Sequence, residues 1–180
     1  MRDIQKQIKD SKAFYFPYVE ESKGVGDKLL FDLAKDAAVV ITDDYPTYFV
    51  PQMTAEAKGN INTTYELVDS NGILPIRIAE KEYVRAHDFR RFMHKNIEDF
   101  LVEFPVENPL DYLNIQFDSK ILKSLTQKYK LEDFNEINIQ KFLDNLSVDK
   151  SVEISEIVGG YDTAKSRLDY FTKEGFNDYA

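Results

Sequence analysis

Residues 39–53 read VVITDDYPTYFVPQM. Residues 37–42, AAVVIT, form an unbroken apolar run with β-branched side chains. Such a run marks a short strand covered on both faces, as in a parallel sheet. The run stops at Asp43 and Asp44. In open α/β sheets, ligands bind beyond the carboxyl ends of the strands, so two carboxylates stand where a ligand is expected. One of the two is expected to cap the following helix by accepting from its free N–H groups. The other is then available to a ligand, since a cap alone does not require two like charges side by side. Pro46 suits a first helical turn. Pro51 removes a hydrogen bond to Thr47, so the spacing predicts a single turn at 46–50 and a restart at Pro51. Tyr45, Tyr48 and Phe49 are then held in an aromatic cluster, read first as core and second as a pocket wall.

Working outward, AFYFPYV at 13–19 has strand character, with Pro17 at a strand end or sheet edge. A helix is expected over about 26–36, with Leu29, Leu30 and Leu33 on one face. MTAEAKG reads as a short helix closed by Gly59. TTYELVD at 63–69 is a third strand, ending in a tight Asn71-Gly72 turn with positive φ. Strands alternating with helices predict parallel βαβ units. From residue 83 the chain turns helical. One helix is expected over 83–104, another over 118–130 capped by Asp118 or Ser119, and a third opened by Asn138. Residues 147–160 read as an extended linker, and a last helix runs from Tyr161 to about Lys173, closed near Gly175.

The 180 residues carry 23 Lys and Arg against 32 Asp and Glu, a net charge of −9. That balance opposes nonspecific nucleic-acid binding, though it leaves room for a local basic patch. There is no cysteine, which removes disulfides, zinc–thiolate sites and thiol nucleophiles. No apolar run approaches membrane-spanning length, and the charged MRDIQKQIKDSK start is no secretory signal. A cytoplasmic protein with no membrane partner is therefore expected.

Several other groups invite chemistry and fall short of it. His87 and His94 are seven apart on one helix, which is no zinc spacing. Arg85, Arg90 and Arg91 form a basic face, read as solvated or paired with nearby acids such as Glu98, Asp99 and Glu103. Arg77 is expected to pair with Asp69 or Asp43. Gly24-Val25-Gly26 is a weak anion-binding loop. No serine has a convincing His and Asp partner.

The order of four stretches is informative. VVITDDYPTYFVPQM, then YELVDSNGILPIRIAEKEY, then a helix with RAHDFRRF, then EFPVENPLDYL, resembles the DNA photolyase/cryptochrome family. It looks closest to the class II cyclobutane-dimer photolyases. The tail LSVDKSVEISEIVGGYDTAKSRLDYFTKEGFNDYA is similar to the family's linker into its catalytic domain.

The resemblance implies a partial doubly wound, Rossmann-like α/β antenna domain at 1–82, a helical segment at 83–146, and at 147–180 a linker and the first helix of an FAD-binding domain. On this comparison the chain starts near the family's third strand and stops where the helical domain begins. FAD is then not expected to bind this chain, no catalytic residue is assigned, and DNA is expected to be met only through the helical domain. In a full-length parent, light-excited reduced FAD would split pyrimidine dimers. A folate or deazaflavin antenna is the ligand implied for Asp43 and Asp44. Tyr179 matches a tyrosine that touches FAD in relatives. An alternative is an interaction module, dimerising through an open sheet edge.

Overall fold

The computed structural model describes every residue except Glu103, residues 115–117, Ile154 and Ala180. Glu103 of the expected third-quarter helix and Ile154 of the expected linker thus lie outside the described residues. The chain is mixed α/β, and it groups into two units. One joins Met1–Gly26 to Asn108–Ala180, and the other is Asp27–Glu107. The expected boundaries at 82 and 146 follow the order of sequence patterns and the resemblance, whereas these units follow contacts.

The second unit holds the sheet. Helix α2 (Leu29–Ala34) leads into strand β1 (Val39–Asp43). Helix α3 (Val50–Asn60) crosses over to strand β2 (Thr64–Val68). The two strands pair in parallel, with Val39 opposite Thr64 and Asp43 opposite Val68. This is a βαβ unit, the connection that parallel pairing requires. Thr63 fastens its entrance by donating Oγ1 to the Ala37 carbonyl at 2.8 Å. Among the described residues its buried apolar ones are Ala34 and Ala57, on α2 and on α3, which pack together.

Two expectations change here and one is met. Strand β1 is covered on one face only, because Val39 and Ile41 stay exposed, Ile41 at 59%. As expected, a turn precedes Pro51 and the helix starts at this proline, one residue early at Val50. Pro51 sits in the first turn of α3, where its missing N–H has no intrahelical partner to lose. Gly59 does not close α3, which continues to Asn60, whose side chain donates to the Glu56 carbonyl. Farther on, helix α4 (Ala86–Asn96) passes into a 3-10 turn at Ile97–Phe100. The expected 22-residue helix is therefore shorter, and Leu101, Val102 and Phe104 are exposed beyond it.

The first unit is helical and irregular. It contains α1 (Arg2–Ile8), α5 (Ser119–Lys128), α6 (Ile139–Asn145) and α7 (Tyr161–Tyr170). The Asp118 carboxylate accepts from Lys120 N–H and the Asn138 side chain from Lys141 N–H, so both expected caps are in place. Helix α7 continues as a π-helical turn to Gly175. Among this unit's described residues the buried apolar ones are Leu125, Tyr129 and Phe134. Residues 13–19 are not a strand. The Pro17 carbonyl instead accepts from Glu132 N–H at 2.8 Å, and the Tyr18 ring meets Tyr129 edge-on. The segment is tied to a loop rather than to a ladder, which suits a proline that has no N–H to give.

Candidate functional site

Strand β1 ends at Asp43 and strand β2 one residue before Asp69, so parallel register delivers three carboxylates to one edge of the sheet. Each is engaged differently. Asp43 accepts from the Ser70 hydroxyl. Asp44 is tied down by its own N–H, which donates to the Val68 carbonyl at 2.8 Å. Its Oδ2 then takes Arg77 Nε at 2.7 Å and Nη2 at 2.6 Å. Asp69 organises the following loop. Its Oδ1 accepts from the Asn71 backbone and side chain, and its Oδ2 from Ile76 N–H at 2.6 Å. The Asn71 side-chain amide also donates to the Asp44 carbonyl at 2.7 Å, which links the loops after the two strands. The Ile76 N–H, then Asn71 and the nearby Arg77 charge, hold the Asp69 carboxyl below its usual 3.8.

Neither aspartate caps a helix. The residue before α3 is Phe49, with no side-chain cap bond, and Asp43 and Asp44 lie six and five positions upstream of it. The turn at 46–49 keeps them apart from the helix, so a cation and a hydroxyl satisfy them instead. Arg77 pairs with Asp44, not with the expected Asp43 or Asp69. Gly72 has ordinary φ. Among the described residues the positive values fall at Gly24, Gly160 and Tyr48, the last at φ 60.

Tyr48, expected in the aromatic cluster, carries a backbone feature that the sequence did not signal. It occupies a left-handed conformation that costs a bulky side chain about 1–2 kcal/mol, and it is 85% exposed. Tyr45 and Phe49 are exposed as well, so the expected packed cluster is an open aromatic rim. A cleft of about 340 Å³ lies beside it, lined by Asp44, Tyr45, Pro46, Pro51, Thr54, Ala55, Lys58, Leu67 and Arg77. Asp44 and Arg77 offset one another, and Lys58 leaves the cleft with a net positive charge. It can accept a planar ligand between the prolines and Tyr45, with an anionic group toward Lys58.

The other expected sites resolve differently. Tyr179 belongs to the first unit, where its ring packs edge-on against Phe171 at 5.6 Å. The Gly24-Val25-Gly26 loop is occupied by its own chain, because Gly24 and Gly26 N–H both donate to Glu20 Oε1 at 2.8 and 3.1 Å. His87 and His94 are exposed on α4. Among the described residues no group of three or more His, Asp or Glu is placed to hold a metal, and no helix is long and apolar enough to cross a membrane. Comparison with protein-family models, curated proteins and solved structures finds no match to this chain.

Proposed function

We propose that this chain is an antenna-type α/β domain related to the photolyases, with a partial Rossmann-like sheet that binds a light-absorbing chromophore beyond its strand ends. The observation that carries the reading is the cleft beside Asp44, set at the carboxyl end of a parallel βαβ unit and walled by Tyr45, Pro46 and Pro51. The chromophore class is a folate or deazaflavin, a planar heterocycle with an ionisable group for Lys58. On this reading FAD and dimer-splitting chemistry belong to a helical domain acting with this one in a cytoplasmic repair protein, with Tyr179 at the boundary. This chain alone performs no catalysis.

Equilibrium titration tests the proposal. A folate or deazaflavin is expected to bind at one per chain and to gain a near-UV or blue difference band. Stoichiometric FAD binding with no uptake of either antenna compound would overturn it.

A second reading has its own observation. Strands β1 and β2 pair only with one another among the described residues, and Val39 and Ile41 are exposed beside them. We propose as the alternative an interaction module that dimerises through this sheet. Sedimentation across a hundredfold concentration range distinguishes it: the module dimerises, and a strict monomer excludes it.

A further inference from the structure

Helix α4 divides cleanly into two faces. Phe89, Phe92, Met93 and Ile97 lie on one side and, except for Ile97 in the turn that follows, belong to the helix itself. Phe89, Met93 and Ile97 line an apolar groove with Ile73 and Ile78. His87, Arg90, Arg91, His94 and Lys95 lie on the other side, and all five are exposed. None of Arg90, Arg91 and Lys95 enters a salt bridge among the described residues. Arg91 and Lys95 are four apart, a like-charge spacing that weakens an isolated helix. On a chain of net charge −9, three clustered and unpaired cations are a local arrangement that folding does not ask for.

A second feature adjoins this face. Lys81, Glu82, Tyr83, Val84, Asp88 and Arg91 line a cleft of about 450 Å³ at the start of α4. Tyr83 forms its aromatic wall, braced by Phe89 and Phe92 at 5.6 and 5.3 Å between ring centroids. Lys81 Nζ stands 5.4 Å from the Tyr83 centroid. Glu82 and Asp88 are acceptors for the N–H groups on base edges, the imide N–H of thymine included.

We propose that α4 and this cleft bind single-stranded nucleic acid. Arg90, Arg91 and Lys95 take successive phosphates, and a base enters the cleft against Tyr83. A cationic track beside an aromatic wall is the combination that binds single strands with little sequence preference. A polycarboxylate partner would use the cations and leave the aromatic cleft without a role. The proposal places a nucleic-acid contact on this chain, where the charge balance and the resemblance assigned none.

Fluorescence anisotropy with labelled dT12 tests it between 50 and 200 mM salt. The full chain is expected to bind, with a log–log salt slope of about −2 for three phosphates. The triple variant R90A/R91A/K95A, on exposed positions, is expected to lose about tenfold or more in affinity and to flatten that slope. Tyr83→Leu is expected to weaken binding about tenfold while leaving the slope unchanged; circular dichroism confirms that both variants are folded. No binding at 50 mM salt, or wild-type binding by the triple variant, overturns the proposal. Tighter binding to a duplex of equal length, or equal competition by poly-L-glutamate, overturns the assignment to single strands.

Discussion

Asp44 and Asp69 do different work at one sheet edge. Arg77 is 73% exposed, and exposed pairs contribute about 0.2–1 kcal/mol. Arg77→Ala is therefore expected to lower stability by less than about 1 kcal/mol, measured by urea unfolding. Asp69 accepts three hydrogen bonds within one loop, so Asp69→Asn is expected to lower the Tm more than Arg77→Ala does. Its pH dependence has a defined sign. The folded-state pKa lies below 3.8, so the stabilisation is complete above that value and disappears as pH falls through the lowered pKa. The Tm difference between wild type and Asp69→Asn should accordingly be constant from pH 7 to 5 and shrink below 3.8. A difference that grows on acidification contradicts this. Tyr48→Gly removes about 1–2 kcal/mol of backbone strain and costs roughly 0.5–1 kcal/mol through the freer unfolded chain. Stability should not fall, while chromophore affinity should, because the aromatic rim beside the cleft loses its most exposed ring. A loss of stability with unchanged affinity would remove Tyr48 from the site.

Helix ends show where local sequence was sufficient. Asp118 and Asn138 are capping residues in front of apolar periodicity, and each bonds a first-turn N–H as expected. Asp118→Ala should cost about 1 kcal/mol, seen as a shift in the unfolding midpoint at constant slope. The start of α7 depends on a distant residue instead. Asp3 Oδ2 accepts from Tyr161 N–H at 2.7 Å, and Gly160 has φ 132. A Cβ at Gly160 would collide with that Asp3 carboxylate. Gly160→Ala is expected to destabilise by about 1–3 kcal/mol, and Asp3→Ala should relieve the collision while losing the cap. Equal stability of Gly160→Ala and wild type would contradict this contact. The pairing of residues 3 and 161 is invisible to periodicity, because it joins positions 158 apart. The same reason hides the Pro17–Glu132 bond, so AFYFPYV carries strand propensity without a strand neighbour.

At the scale of the whole molecule, exposed apolar surface governs the interpretation. Large apolar side chains are exposed in both units, Val84 and Phe104 in one and Val152 and Val158 in the other. Ile41 and Val39 on β1 are exposed too, although their run reads in sequence as a strand covered on both faces. Composition alone identifies such a strand as apolar, and only the neighbours present decide which face is covered. The βαβ unit and the acidic strand ends were legible in VVITDDYPTYFVPQM because period and strand-end chemistry are local. The Asp44–Arg77 pair and the cleft were not, because they depend on how two loops 33 positions apart meet. The most direct test is a titration of a deazaflavin into wild type and Lys58→Glu, followed by absorbance. Binding at one per chain, weakened at least about tenfold by reversing the Lys58 charge, is the expected result; one such factor is about 1.4 kcal/mol. No difference band for the wild type, or equal binding by both proteins, would contradict a chromophore site at the strand ends.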